Sequence, residues 1–405
     1  MTMAVDNKDK VLNVPNLRFP KFKGEWELHP TTDYFEFKNG LNPDAKRFGT
    51  GTKFISVMDI LNNRYITYDK IITSVELKDD DLMDFGVNYG DVLFQRSSET
   101  LEDVGRANVY LDKQTALFGG FVIRGKKIGN YNPLFFRYLL SSPNVRKRII
   151  VKGAGAQHFN ISQDGLSKVS LYVPKEEEQE RVCGLLNLID ERIEAQIRII
   201  ENLQSLINGI TQRISRHPSV KMTVLSEILT ERNEKNTSLF PVYSVSVSEG
   251  VVNQIEYLGR SFAATNTTHY NVVHWGDIIY TKSPTGDFPF GIVKRSSVKA
   301  NVAVSPLYGV YQPVSNDVAV YLHYYFWNPL NAQNYLHKLI QKGAKNTINI
   351  TNQRFLENYI PIPDKEALTR FAKLMDAVSD KLKSEQSLLE ALQRQKKYFL
   401  MQMFV

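Results

Sequence analysis

The chain has 405 residues, enough for two or three domains, and its hydrophobic content of 42% is sufficient for packed cores. Lys and Arg number 50 against 43 Asp and Glu, and this net charge of +7 permits a nucleic-acid partner without requiring one. A single cysteine, Cys183, excludes an intrachain disulfide, and no apolar run is long enough for a signal peptide or a membrane span. These features predict a cytoplasmic protein without membrane contact.

Two parts of the chain repeat the same series of landmarks. A Gly-Asp pair enters an apolar strand at Gly90 and again at Gly276. A loop that starts Lys-Gly-Ala and continues to Asn-Ile has its glycine at Gly153 in the first part and at Gly343 in the second. The offset is 186 residues for the strand (276 minus 90) and 190 for the loop (343 minus 153). Such a nearly constant offset predicts an internal duplication.

A long charged segment without proline follows each series. Apolar residues recur there at alternating steps of three and four, a narrow stripe that is typical of a coiled-coil seam. Polar residues interrupt the stripe at Gln196, Glu385 and Lys396. Each helix is expected to pair with the other; the alternative is that each packs on its own domain. The predicted pairing residues are Leu186, Ile189, Ile193, Ile200, Leu203, Ile207, Val378, Leu382, Leu389 and Leu392.

These patterns predict an α+β fold with two similar domains in tandem, each followed by a long helix. The predicted limits are 1–174 for the first domain, 175–216 for the central helix, 217–363 for the second domain and 364–405 for the last helix. An antiparallel coiled coil with a pseudo-twofold relation suits this layout. In a parallel pair, each connection between a helix and the next domain would have to run back along the whole length of the helices.

The sequence contains no recognisable catalytic motif. The seven histidines form no His-Glu-x-x-His pattern, and the cysteines of a common zinc site are lacking. Residues 120–127, "GFVIRGKK", match a phosphate loop except that Lys127 stands where Ser or Thr would hold magnesium. The segments "NPLF" from Asn132 and "NPLN" from Asn328 lack the second proline of the Asn-Pro-Pro-aromatic motif of amino-methyltransferases. The sequence therefore favours a binding protein over an enzyme.

Basic, amide and hydroxyl residues cluster after each Gly-Asp strand and in each Lys-Gly-Ala loop. Such residues contact DNA phosphates and base edges, and two diverged readers at a fixed spacing suit an asymmetric site in two parts. The alternatives are that Asn160 and Asn349 shape turns, that Gly153 and Gly343 cap helices, and that the lysines are solvated. The candidate DNA contacts are Arg96, Ser97, Ser98, Lys152, Gln157, His158 and Asn160 in the first part, and Lys282, Ser283, Thr285, Lys342, Lys345, Asn346 and Asn349 in the second.

Three segments resemble conserved parts of the specificity subunits of type I restriction-modification systems. They are "LRFPKFKGEWE" from Leu17, "PKEEEQERVCGLLNLIDERIEAQ" from Pro174 and "KKYFLMQMF" from Lys396. The resemblance covers essentially the whole chain. It implies that each domain is a target-recognition domain reading half of a bipartite site and that the helices act as a ruler. The second half departs from the pattern, because "PDKEALTRF" from Pro363 replaces the Glu-Glu-Gln signature.

The same resemblance implies partners and cofactors. Two methyltransferase subunits and two restriction/translocase subunits would dock on this chain, and double-stranded DNA would be its ligand. S-adenosylmethionine, ATP and Mg would be held by those partners, while this chain would hold no cofactor or metal and no catalytic residue. The alternative is a coiled-coil scaffold protein without sequence-specific DNA binding.

Overall fold

The computed structural model describes residues 13–78, 80–260, 265–342 and 348–405, with the backbone alone at 258, 341, 342, 348 and 349. The chain forms two compact units. The first consists of Met1–Gln196 with Leu388–Val405, and the second is Ile197–Ser387. Each unit contains one domain of mixed helix and strand together with a part of each of two long helices.

The first domain combines short strands with short helices. In chain order these are β1 (Glu27–Pro30), β2 (Phe35–Asn39), β3 (Phe48–Ile55), α1 (Val57–Asn62), β4 (Ser74–Val75), α2 (Asp81–Phe85), β5 (Val92–Gln95), β6 (Ser97–Ser98), β7 (Ala107–Val109), β8 (Leu117–Phe118), β9 (Val122–Lys127), α3 (Pro133–Ser141), α4 (Pro143–Ile150), β10 (Phe159–Asn160), α5 (Gln163–Ser167) and β11 (Ser170–Val173). The long helix α6 (Glu176–Ile214) follows.

A four-stranded antiparallel sheet in the order β2-β9-β5-β7 forms the centre of this domain. Successive residues of β5 point to opposite faces. Val92 and Phe94 therefore join one core cluster with Phe136 of α3, while Leu93 joins another with Val122. Because β5 is buried on both faces, its residues "VLFQ" read as an unbroken apolar run before the first polar position.

The second domain begins after α6 and ends at the other long helix. Its elements are β12 (Lys221–Val224), β13 (Leu229–Glu231), β14 (Tyr243–Ser246), β15 (Gly250–Asn253), α7 (Gln254–Leu258), β16 (Asn271–Val273), β17 (Ile278–Tyr280), β18 (Val293–Arg295), β19 (Val302–Val304), β20 (Gly309–Pro313), α8 (Asn316–Trp327), α9 (Pro329–His337), β21 (Gln341–Lys342), β22 (Ile348–Asn349), α10 (Asn352–Phe355) and β23 (Tyr359–Ile362). The last helix is α11 (Lys365–Gln402).

The two domains share their central connectivity. The antiparallel order β13-β20-β17-β18 repeats the order β2-β9-β5-β7, and β12 pairs with β23 as β1 pairs with β11. The start of β17 lies 186 residues after the start of β5 (278 minus 92). The predicted tandem of two similar α+β domains, each followed by a long helix, is therefore confirmed.

The repeated Gly-Asp pair forms a turn in both domains. Gly90 and Gly276 have φ angles of 91° and 86°, a region that residues with a Cβ atom rarely adopt. Asp91 and Asp277 are almost completely buried. Each accepts a hydrogen bond from the backbone N–H three residues earlier, at 2.9 and 2.8 Å. Burial raises the pKa of Asp91, and the carboxylates of both pairs have a structural role in the turn.

Two sequence patterns that resembled catalytic motifs also have structural roles. Residues 122–127 of the phosphate-loop match form strand β9, which includes Gly125, Lys126 and Lys127. The side chains of Asn132 and Asn328 cap the N-termini of α3 and α9, accepting backbone N–H groups at 3.0 and 2.9 Å. Proline at the first helical position explains the Asn-Pro sequence in both places.

The long helices run antiparallel within the first unit. Leu186 of α6 lies in the same core cluster as Met403 near the end of α11. One turn further along α6, Asp190 Oδ1 lies 2.6 Å from Lys396 Nζ. Residue numbers therefore rise along α6 as they fall along α11. Lys396, one of the three polar residues that interrupt the apolar stripes, therefore has a buried ionic partner.

The second unit shows the same direction at the other helix ends. Ser215, just after α6, lies 3.0 Å from the hydroxyl of Tyr321, whose ring packs edge-on against Phe371 near the start of α11. The backbone N–H of Asp364 donates to Ser219 Oγ at 3.3 Å. The end of α6 therefore lies beside the beginning of α11.

All ten predicted seam residues are buried or half-buried, while their individual partners across the helices stay a prediction. The buried ones are Leu186, Ile189, Ile200, Ile207, Leu382 and Leu392, and the half-buried ones are Ile193, Leu203, Val378 and Leu389. No helix within the described ranges is both long and apolar enough to cross a membrane.

The Glu-Glu-Gln segment at the start of α6 attaches the helix to the first domain. Arg18 holds the buried carboxylate of Glu178 through two bonds of 2.7 and 2.8 Å. The amide of Gln179 bonds two backbone groups of the domain at 2.9 and 3.0 Å. The second half lacks this signature and uses a different bond, from Thr369 Oγ1 to Asp317 at 2.6 Å.

Candidate nucleic-acid interface

The structure brings two distant groups of predicted contact residues together in the first domain. Strands β6 and β10 pair so that Ser97 lies opposite Asn160 and Ser98 lies opposite Phe159. The hydroxyl of Ser97 donates to the amide oxygen of Asn160. The residues after the Gly-Asp strand and those of the Lys-Gly-Ala loop therefore form one polar surface.

The Lys-Gly-Ala loop of the first domain is a tight hairpin with an exposed tip. Ala154 and Asn160 exchange two backbone hydrogen bonds of 2.9 and 2.8 Å at its base. Gly155 has a φ of 143°, and a Cβ atom there would lie 2.0 Å from the carbonyl oxygen of His158, so the tip requires glycine. Gln157 and His158 are exposed at the tip. Their side chains extend beyond a base that hydrogen bonds hold in place.

The remaining predicted residues of the first domain lie around this hairpin. Arg96 is half-buried and donates from Nη1 to the carbonyl oxygen of Gly120 at 3.2 Å. Ser98 Oγ accepts the backbone N–H of Thr100 at 3.2 Å. Lys152 is exposed where the chain leaves α4. Arg96 comes directly before Ser97, and Lys152 comes eight positions before Asn160 (160 minus 152), so each member of the pair has a basic residue earlier in its own segment.

The second domain places its first group of predicted residues at the end of β17. Lys282 is half-buried, and burial lowers its pKa, while the charge of Glu231 acts in the opposite direction. Ser283 and Thr285 are exposed. Thr285 and Phe288 exchange two backbone hydrogen bonds of 3.1 and 2.9 Å, which close a short turn.

The second group lies at the β21–β22 hairpin. The backbones of Lys342 and Asn349 lie in strands that pair antiparallel, with Gln341 opposite Asn349. Asn349 thus has the same place in the chain as Asn160, 189 residues earlier (349 minus 160), which also pairs at the base of its loop. Lys345 and Asn346 lie outside the described residues.

Two exposed apolar residues beside these groups were not predicted from the sequence. Phe121 is 69% exposed, and its carbonyl oxygen accepts the backbone N–H of Arg96 at 2.9 Å. Leu307 of the second domain is 70% exposed. Both come just before the strand that repeats in the central sheets, β9 or β20, and they lie 186 residues apart (307 minus 121), the offset of the two Gly-Asp pairs.

The titratable residues of the described ranges do not suggest metal chemistry at this surface. Among them, no group of three or more His, Cys, Asp or Glu side chains is arranged to hold a metal ion. The predicted contact residues carry basic, amide, imidazole and hydroxyl groups, which are residue types that contact nucleic acid.

The architecture defines a class of protein: two similar α+β domains, with two long helices that run antiparallel. Two solved structures share this fold. The S subunit of the type I restriction-modification system of M. genitalium is 14% identical, has a TM-score of 0.59 and aligns over 97% of this chain and 99% of its own. A chain of another type I restriction-modification system is 12% identical, with a TM-score of 0.51, over 93% of this chain and 96% of its own.

Sequence similarity points to the same group of proteins. The chain is 24% identical over 216 residues to a protein of Methanocaldococcus jannaschii that carries the provisional name type I restriction enzyme MjaX specificity subunit. That match covers 50% of this chain and 50% of the relative. No protein-family model matches. The resemblance to type I specificity subunits that the sequence suggested is therefore confirmed, with a shared fold along the whole chain.

Proposed function

We propose that this chain is a DNA-binding specificity subunit of a type I restriction-modification complex. Each domain reads one half of an asymmetric bipartite site, and the two long helices set the distance between the halves. The observation that carries the proposal is the joining of Ser97 and Asn160 in one exposed polar surface, with Gln157 and His158 at the tip beyond it. Hydroxyl and amide side chains in this arrangement can bond both phosphates and base edges.

The proposal includes partners that supply catalysis. Two methyltransferase subunits would methylate DNA with S-adenosylmethionine, and two restriction/translocase subunits would use ATP and Mg in the cytoplasm. Large apolar side chains that are exposed on the long helices support such docking, because burial against a partner would remove their surface from water. Among them are Leu188, which is 60% exposed, and Tyr398, which is 54% exposed. This chain would contribute specificity and no catalytic residue.

The test is the methylation pattern of DNA in cells that produce this chain with the methyltransferase subunit from the same genome. We expect methyladenine at one bipartite motif. The double variant Ser97→Ala/Asn160→Ala should lose or change the first half of the motif and leave the second half intact. Lys282→Ala should weaken the second half, because the variant removes a predicted cationic contact of the second domain with DNA phosphate.

Matched controls separate DNA contact from a general loss of structure. Asn202→Ala changes an exposed amide on α6, and Lys299→Ala changes an exposed lysine of the second domain. Both should leave the motif unchanged. Random methylation with active partners would refute the proposal and favour the alternative of a coiled-coil scaffold protein.

A further inference from the structure

The turn before the repeated strand exposes a large apolar side chain in both domains. Phe121 comes directly before β9, and Leu307 comes two residues before β20. They are 69% and 70% exposed. Exposing such a side chain forgoes the favourable free energy of burying it, so its presence at the same place in both copies points to a contact outside the chain.

In both domains a predicted cationic contact lies at the same end of the central sheet as the apolar residue. Gln95 pairs with Val122, so Arg96 and Phe121 are the next residues on either strand, and a backbone bond of 2.9 Å joins them. Tyr280 pairs with Gly309. Lys282 and Leu307 each lie two residues beyond that pair.

In the first domain the apolar residue also adjoins the Ser97–Asn160 pair. Phe121 and Ser97 line one surface cavity of about 420 Å³, together with Asn42 and the exposed Met58. The apolar surface is therefore continuous with the polar surface, and a ligand that covers Ser97 also meets Phe121.

We propose that Phe121 and Leu307 each contact the C5-methyl group of a thymine in the major groove, one in each half of the site. The inference rests on the proposed function and names a further specificity-determining residue in each domain. Among the four unmodified bases, thymine alone presents a methyl group in that groove, and apolar side chains are the groups that recognise it. A cation beside the apolar residue holds the neighbouring phosphate or a guanine.

The test compares thymine with deoxyuridine, which differs only in lacking that methyl group. DNA carrying the methylated motif is prepared with each thymine replaced in turn, and its binding to the complex of this chain with its methyltransferase subunits is measured by fluorescence anisotropy. We expect at least one replacement in the first half to weaken wild-type binding by about fourfold, the effect of losing one buried methyl group. Phe121→Ala should bind both DNAs equally, while Leu307→Ala should lose the discrimination in the second half.

The control variant is Leu28→Ala, which removes a 54% exposed apolar side chain from β1 in the first domain. It should keep the discrimination of the wild type, and thermal unfolding checks that each variant is folded. If wild-type binding is indifferent to every replacement, or if Phe121→Ala keeps the discrimination, the thymine contact is overturned. If Phe121→Ala weakens binding to thymine DNA and to deoxyuridine DNA by the same factor, the discrimination is kept and the thymine contact is likewise overturned. That result would indicate that Phe121 inserts between base steps instead.

The two levels of inference fail in different ways. A complex that does not distinguish the motif from scrambled DNA would refute the proposed function itself. A complex that distinguishes the motif but ignores the thymine methyl groups would refute only the role of Phe121 and Leu307.

Discussion

Asp190 is the residue whose replacement should most weaken the attachment of the first domain to the helices. Its side chain is 5% exposed on α6. Oδ1 lies 2.6 Å from Lys396 of α11, and Oδ2 accepts the hydroxyl of Tyr138 at 2.8 Å and lies 3.3 Å from Arg137. One carboxylate therefore joins two helices and a domain.

The expected magnitude follows from the burial of this network. Asp190→Asn keeps the shape of the side chain and removes the charge that balances Lys396 and Arg137. Removing one partner of a buried ion pair costs about 3–5 kcal/mol, because the remaining charge stays desolvated. Since folded domains are stable by roughly 5–15 kcal/mol, a loss of this size is readily measured.

The assay is urea denaturation followed by circular dichroism, with the free energy of unfolding taken at equal m-values. Lys396→Met should cost less than Asp190→Asn, because Lys396 is 26% exposed and Asp190 keeps Arg137 and Tyr138. The double variant should be less destabilised than the sum of the two single variants, since the charges are coupled.

An exposed ion pair on α11, the helix that carries Lys396, serves as the control. Arg394 lies 3.5 Å from Glu390, and both side chains are more than two-thirds exposed. Arg394→Met should change the free energy of unfolding by less than about 0.5 kcal/mol. A loss of less than 1 kcal/mol in Asp190→Asn would refute the reasoning that a buried charge network joins the domain to the helices.

Three further outcomes are expected. Burial lowers the pKa of Lys294, beside Trp327, to about 8. Between pH 8 and 10.5 the Lys294 amine is therefore protonated in the unfolded chain and neutral in the folded chain, so the free energy of unfolding rises with pH. Lys294→Met should thus be more stable than the wild type in urea unfolding at pH 7, and this difference should shrink by about 3 kcal/mol between pH 7 and 10.5, with Lys299→Met measured alongside as the exposed control. Burial raises the pKa of Cys183 to about 11, so a thiol reagent should react slowly with it until urea unfolds the chain. Matched four-residue insertions in both long helices add about 6 Å to each, and the spacer of the methylated motif should grow by one or two base pairs; an unchanged spacer would contradict the ruler.

Local patterns made part of the fold predictable. The step of three and four in the long helices and the glycine of each Gly-Asp turn depend on neighbours close in the chain, so they can be read directly. The partner of Lys396 could not be read in this way. Asp190 lies 206 positions earlier (396 minus 190), and nothing local marks a charged residue as the buried partner of another.

The candidate site was predictable in composition and not in arrangement. Their residue types made Ser97 and Asn160 candidate contacts. Their pairing could not be predicted, because it joins strands of two residues, which are too short to show a periodic pattern. Phe121 and Leu307 were missed because an apolar residue is expected to be buried, and only the folded chain shows which ones remain exposed.

The hairpin of the first domain separates the residues that must stay from those that can be exchanged. Ala154 and Asn160 hold its base through backbone bonds that do not depend on side-chain identity. The side chains of Gln157 and His158 are exposed beyond that base, and the bond that His158 makes to Asn160 Nδ2, at 3.4 Å, uses its backbone carbonyl. Under the proposed function, substitutions at the tip would change the DNA target and leave the backbone bonds of the base in place.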